Sequence, residues 1–223
     1  MIDWNAIDTV FLDMDGTLLD LRFDSHFWHH HLPQRFAETY GLEFSEAQAN
    51  LTARYREMRG TLQWYCADYW SEELGLDVAA LKHEIRHRVT RMPRVEEFLG
   101  RVNDSGRPCY LVTNAHPKFI DIKLEESQIR PYFRKIVSSH EFQVPKESAE
   151  FWRVLRDVVP HEPARTLMVD DDMNVLEHAE TAGIGCLLTV RRPDSGQPER
   201  ERLAYPAIRD FSEIMPPSPA PIA

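Results

Sequence analysis

Asp13 and Asp15, separated by one residue, follow directly on the apolar run TVFL at 9–12. Past the end of a strand, with Gly16 free to turn the chain, both carboxylates can be brought towards one point. One of them can attack phosphorus while the other handles protons. A divalent cation is then needed to hold such charges beside a phosphate dianion. Taken alone, the same residues also make an ordinary acidic turn that caps a helix.

Three further elements change that balance. Thr113 and Asn114 close a second apolar run, where a hydroxyl and the following amides can bind phosphate oxygens. Lys146 follows Pro145 and opens a helical stretch, and Asp170, Asp171 and Asp172 follow the run TLMV. Each has a plain reading: Thr113 as a helix N-cap ahead of Pro117, Lys146 as a solvated surface residue, the aspartates as an acidic helix start. But like charges crowded at a strand end are costly unless a cation or a lysine compensates them. Four such elements, at four strand or loop ends and in one order, point to a single site.

The elements that must position these residues follow from the pattern. Apolar runs at 9–12, 110–113, 135–137, 166–169 and 184–190 lack alternation, as buried parallel strands do. Helical patterns lie between them near 94–105, 117–127, 147–158 and 173–182. Strand–helix alternation predicts an α/β fold, a Rossmann-like parallel sheet with helices on both faces. Ligands bind beyond the carboxyl ends of such strands, where the candidate residues fall.

Residues 21–92 break this pattern and hold no convincing strand. Trp28, Leu32, Phe36 and Tyr40 recur at four-residue steps, and Ala47, Leu51, Tyr55 and Met58 follow a similar spacing. A helical cap domain over 21–92, inserted into a core formed by 1–20 and 93–205, is expected, built as a four-helix unit. Pro33 should begin or kink its first helix. Ser45 with Gln48 could form a capping box. Residues 206–223 read as a tail whose Pro-rich end is disordered.

Bulk properties bound the partners. The chain has 223 residues and a net charge of −10. That balance argues against a nucleic acid polymer, whose backbone wants a basic face. Three cysteines without a CxxC pair suggest neither a zinc site nor a disulfide framework. No apolar window is long enough to span a membrane and the start lacks a signal-like segment, so a cytoplasmic protein, monomer or homodimer, is expected. His29, His30 and His31 are 100° apart on a helix and cannot converge on one ion.

In these residues the chain resembles the haloacid dehalogenase (HAD) superfamily. DMDGT, the strand ending in Thr113-Asn114, the isolated Lys146 and the strand ending in Asp170-Asp171 look like its four signature motifs, over roughly residues 8–190. FLDMDGTLLDLRFDSHFW, WYCADYWSEELGLD, LVTNAHP and PDSG further resemble bacterial 5′-nucleotidases acting on GMP and IMP. The resemblance implies Asp13 as nucleophile forming an aspartyl-phosphate, Asp15 as acid–base, and Lys146 as the counter-charge. It implies Mg²⁺ held by Asp13, the Asp15 carbonyl and Asp171, with Asp170 orienting Lys146 or a metal-bound water. Thr113 and Asn114 would cradle the phosphoryl group. An acid at Asp15 separates the chain from dehalogenases, though not from sugar-phosphate mutases. Purine 6-oxo nucleotides are the implied substrates, with Arg22, Asp24 and Phe23 the first candidates for reading the base. The rivals are a phosphatase or mutase of sugar phosphates, and a non-catalytic phosphometabolite-binding protein.

Overall fold

The structure, a computed structural model, describes residues 2–217. Five parallel strands carry the sheet: β1 (Thr9–Leu12), β2 (Cys109–Thr113), β3 (Lys135–Ser138), β4 (Thr166–Val169) and β5 (Cys186–Val190). The residues of β1, β2 and β4 are buried throughout, as expected of strands covered on both faces. A sixth strand, β6 (Ala207–Ile208), pairs with β5 and completes the order β3-β2-β1-β4-β5-β6. This corrects the reading of residues 206 onward as tail: Ile208, Phe211 and Ile214 are buried, and Phe211 packs on Phe98 at 4.7 Å between ring centroids. The disorder expected at the end of the chain falls on residues 218–223, outside the described residues.

Side chains alternate across the sheet. Val10, Leu12, Leu111, Leu167 and Val169 enter one core, with Phe98, Leu99 and Val102 of α6 (Val95–Asp104) and Phe119, Ile120 and Leu124 of α7 (Pro117–Ser127). Phe11, Val112 and Met168 enter the other, against Phe151, Trp152 and Leu155 of α8 (Ala149–Val158) and Val175, Leu176 and Ala179 of α9 (Met173–Thr181). The order of strands reverses at β1, which lies between β2 and β4. The crevice beyond its carboxyl end is therefore the expected ligand site.

Between β1 and β2 the chain runs through α1 (Arg22–His26), α2 (Leu32–Tyr40), α3 (Phe44–Met58), α4 (Ala67–Leu74) and α5 (Val78–Glu84). Its entry and exit are laced together: Asp20 N donates to Thr90 O at 2.9 Å and Met92 N to Leu18 O at 2.9 Å. Residues 22–40 are helical throughout, with a π-turn at 27–31 joining α1 to α2. Pro33 ends neither helix. It removes the donor that would meet the His29 carbonyl, and the Gln48 side chain supplies a replacement at 2.9 Å. Gln48 is thus not half of a capping box with Ser45. The box at the start of α3 is Glu43 with Glu46.

Candidate active site

The last residue of β1 leads straight into Asp13, whose N–H continues the ladder to Val169 O at 3.0 Å. Its carboxylate meets Lys146, whose Nζ lies 2.6 Å from Asp13 Oδ1, 2.7 Å from Asp170 Oδ2 and 3.1 Å from Val112 O. The lysine is buried at 2 % exposure, so its charge must be matched by partners. Burial disfavours its ammonium form, yet the two carboxylates hold its pKa above the ordinary lysine value. Its backbone is fixed too: Lys146 N donates to Asn114 Oδ1 at 2.9 Å, and Trp152 Nε1 donates to Lys146 O at 2.8 Å. The sheet ends and the loop before α8 thus converge on one ammonium.

Asp171 has no such lysine. Burial, then the charges of Asp170 and Asp13, push its carboxyl well above the usual range. Asp13 is likewise pushed up to about 7 by burial, against the pull of Lys146. Oxygens of Asp13, Asp170 and Asp171 all lie within 4.8 Å of one another. Three crowded carboxylates facing one ammonium leave a deficit of positive charge, and hard oxygen ligands of this kind suit a small divalent cation. The turn that allows the convergence depends on Gly16, at φ +82°, where a Cβ would stand 2.7 Å from Asp171 Cγ.

Asp15 points to a second cluster. Its Oδ2 lies 2.6 Å from Lys123 Nζ, which also holds Asp24 Oδ2 at 2.8 Å, while Lys82 pairs with Asp24. Asp15 Oδ1 is buried without a partner. Burial raises Asp15 to about 6, with Lys123 opposing and Asp24 and Asp13 adding to the rise. Burial also works against Asp24, but its two lysines outweigh that and hold it at about 2. Lys82 sits in an aromatic cage, with Nζ 4.1 Å from the Phe119 centroid, 4.9 Å from Phe27 and 5.4 Å from both Trp28 and Phe23. Between these groups lies a small cavity of ≈ 60 Å³, walled by Asp15, Lys123, Lys82, Trp28, Trp64, Tyr65 and Phe119 among others.

The sequence expectations meet this geometry unevenly. Asp13, Lys146, Asn114, Asp170 and Asp171 are brought together. Thr113 ends β2 as expected, but its hydroxyl accepts the Ala115 N–H at 3.1 Å and is turned into its own loop. The base-reading trio is not assembled. Arg22 is exposed beside Gly196, Phe23 is buried at 3 % exposure, and both oxygens of Asp24 are held by lysines. α1 begins at Arg22, so successive side chains swing about 100° and cannot share a direction. Three residues of the site escaped the sequence reading: Lys82, Lys123 and Glu147. Glu147 accepts from Asn114 Nδ2 at 2.8 Å and from Tyr65 OH at 2.6 Å, tying the helical insert to the loop after β2. Lys82 and Lys123 did leave a signal, since each replaces an apolar residue on the buried stripe of its helix.

The family model for haloacid dehalogenase-like hydrolases matches residues 7–183, so the chain belongs to the haloacid dehalogenase-like hydrolases. Its function is that of a phosphatase of this family, a phosphoric monoester hydrolase. It is 37% identical over 96% of its length to the GMP/IMP nucleotidase YrfG of Escherichia coli, covering 97% of that protein. A phosphoglycolate phosphatase of Pseudomonas syringae is 26% identical over 93% of the chain and 78% of the relative. Among solved structures, a HAD phosphatase from Thermococcus onnurineus superposes with a TM-score of 0.76 at 20% identity, over 93% of this chain and 96% of the other. Among the described residues no helix is long and apolar enough to cross a membrane.

Proposed function

We propose that the protein is a magnesium-dependent 5′-nucleotidase for purine mononucleotides with a 6-oxo base, IMP and GMP. One observation carries the reading: Asp15, beside the Asp13 nucleophile, forms part of the wall of the aromatic cavity. The acid–base group and a ring-binding surface thus border one space. The full-length relative named for GMP and IMP supports the choice of base.

The roles follow from what each side chain meets. Asp13 attacks phosphorus and becomes the aspartyl-phosphate. Lys146 offsets the charge of Asp13 and of the phosphoryl oxygens, positioned by Asp170. Asp15, raised to about 6, protonates the leaving ester oxygen and then takes a proton from the hydrolytic water. Lys123 holds that carboxyl in place. Asn114 positions the phosphate-binding loop through Lys146 and Glu147. Asp13 and Asp171, with the Asp15 backbone carbonyl, would hold Mg²⁺, which supplies Lewis-acid polarisation of the phosphoryl oxygens. Arg22, Phe23 and Asp24 give way as base readers to Trp28, Trp64, Tyr65 and Phe119, which line the cavity. A cavity of ≈ 60 Å³ is too small for a purine, so the insert must lift to admit one. Residues 21–92 therefore act as a cap over a core of 1–20 and 93–214, which includes β6 and the turn after it.

The test is kcat/KM for IMP, GMP, AMP, UMP, phosphoglycolate and a hexose phosphate at one magnesium concentration. The 6-oxo purines should lead, because AMP inverts the donor and acceptor at positions 6 and 1. A mismatch of that kind costs roughly 10²–10⁵ in a site with buried polar groups. Equal or better turnover of AMP, phosphoglycolate or the hexose phosphate overturns the assignment of substrate.

A further inference from the structure

A second cluster of metal-ligating side chains lies outside the carboxylate site. Cys66 caps α4 in the helical insert. His116 caps α7 just after the β2 loop, and His140 lies in the single turn after β3. All three are half-buried, and their ligand atoms lie within 4.8 Å of one another. The two imidazole rings stand edge to face at 4.9 Å and 80°. Asp68 stands beside the group, with Oδ2 3.6 Å from His116 Nε2 and Oδ1 accepting from Lys118 Nζ at 2.6 Å.

Capping explains part of this cluster only. Cys66 Sγ accepts the Tyr69 N–H, and His116 Nδ1 accepts the Lys118 N–H at a long 3.4 Å. His140 has no such duty: its ring bonds the Asn114 backbone, while Nε2 is buried with no partner. A buried ring nitrogen left unpaired is costly, and its ring belongs to the group whose ligand atoms lie within 4.8 Å of one another. Burial first, for both rings, favours the neutral imidazole that a metal requires.

We propose that Cys66, His116 and His140, with Asp68 as fourth ligand, form a site for a borderline-soft divalent metal of the zinc class, fastening the helical insert to the core. One thiolate, two imidazoles and a carboxylate are a donor set for zinc. Tetrahedral bonds of about 2.0–2.3 Å place ligand atoms roughly 3.3–3.8 Å apart. Movements of about 1 Å bring the ligand atoms of Cys66, His116 and His140, now within 4.8 Å of one another, to that spacing. Softness separates the two sites: oxygen ligands at Asp13, Asp170 and Asp171 suit magnesium, whereas nitrogen and sulfur select zinc or cobalt. The location gives the ion an effect. Cys66 adjoins Tyr65, whose hydroxyl already bonds Glu147, and His116 follows the loop of Asn114. An ion here holds the closed position of the insert against the loop after β2 and so opposes the lift that admits substrate.

The experiment uses the full chain, stripped with chelator, dialysed and returned to excess Mg²⁺ so that the carboxylate site is saturated. Co²⁺ is then titrated in as the spectroscopic stand-in for zinc. One equivalent should bind with an intense thiolate-to-cobalt absorption and the visible bands of a tetrahedral ion, and Zn²⁺ should displace it. Cys66→Ser keeps a capping oxygen and should erase the thiolate absorption. His140→Gln and, as a second variant, His116→Gln should each weaken cobalt binding by at least tenfold. Absence of the thiolate absorption in the unmodified protein overturns the proposal. So does an absorption that survives in Cys66→Ser, since Cys109 or Cys186 would then be its source.

Discussion

At the scale of single residues, three buried lysines decide what the site can do. Lys82, Lys123 and Lys146 are each 1–2 % exposed and each faces carboxylates. In the proposed mechanism Lys146 belongs to the nucleophile Asp13 and Lys123 to the acid–base group Asp15, so the two roles have separate counter-charges. Asp13→Asn should abolish turnover, because an amide cannot attack phosphorus. Asp15→Asn should slow it by roughly 10²–10⁴, the usual worth of a positioned acid–base group. Steady-state rates with a saturating phosphomonoester check both, and near-normal turnover by the Asp13 variant would exclude the covalent route. Lys123→Met leaves Asp15 and Asp24 with a missing partner in a buried place. Breaking a buried pair in this way costs about 3–5 kcal/mol, so the variant should unfold at markedly lower denaturant concentration and lose activity. Unchanged stability would mean that Lys82 alone satisfies Asp24.

At the scale of elements, the legible parts of the chain were those with a strong local signature. Buried parallel strands announce themselves as apolar runs, and each here stops at a polar residue, which is why Asp13, Thr113 and Asp170 could be placed. β6 has only two residues and borrows its order from β5, so no run marks it. The start of α3 went unread because its cap is Glu43, a residue type not favoured at that position. Direction was harder than position: Arg22, Phe23 and Asp24 do follow the catalytic loop, but α1 turns them to solvent, core and lysines in succession. The helical spacing that includes Trp28 was visible, whereas the caging of the Lys82 ammonium by Phe119, Phe27, Trp28 and Phe23 required tertiary structure. The turn after β1 gives the sharpest test at this scale. Gly16→Ala would place a methyl group against the Asp171 carboxylate at a positive φ. The backbone strain alone costs about 1–2 kcal/mol, and displacement of Asp171 should raise the magnesium concentration needed for half-maximal rate. A normal magnesium requirement in that variant would separate Asp171 from the metal.

At the scale of the molecule, a chain of net charge −10 concentrates much of its electrostatic strain at one end of the sheet. Asp13 and Asp15 stand at about 7 and about 6 when folded, both raised chiefly by burial, against about 4 when unfolded. Acids raised in this way bind protons in the folded state that the unfolded chain has already lost. Between pH 7 and about 4 these two groups take up more protons in the folded form, so their contribution to stability grows as pH falls through that window. Histidines work against it: His140 is lowered to about 4, and His26, His29, His116 and His161 are lowered too, all chiefly by burial, so each loses stability as pH falls below the ordinary imidazole value. Asp24 has the opposite sign to Asp13 and Asp15. Its two lysines outweigh its burial and hold it at about 2, so its contribution is complete above pH ~4 and is lost as pH falls towards 2. In chelator, these opposing groups should leave the unfolding free energy nearly level from pH 7.5 to about 5, and the loss of the Asp24 contribution should bring it down below pH 4. Magnesium favours the ionised carboxylates and competes with protons. It should stabilise the protein more at pH 7.5 than at pH 5. Denaturant unfolding at pH 7.5, 6, 5, 4 and 3, with chelator and with magnesium, measures both curves. A magnesium increment no larger at pH 7.5 than at pH 5, or two curves that coincide, would show that these carboxylates are not the ones the metal neutralises.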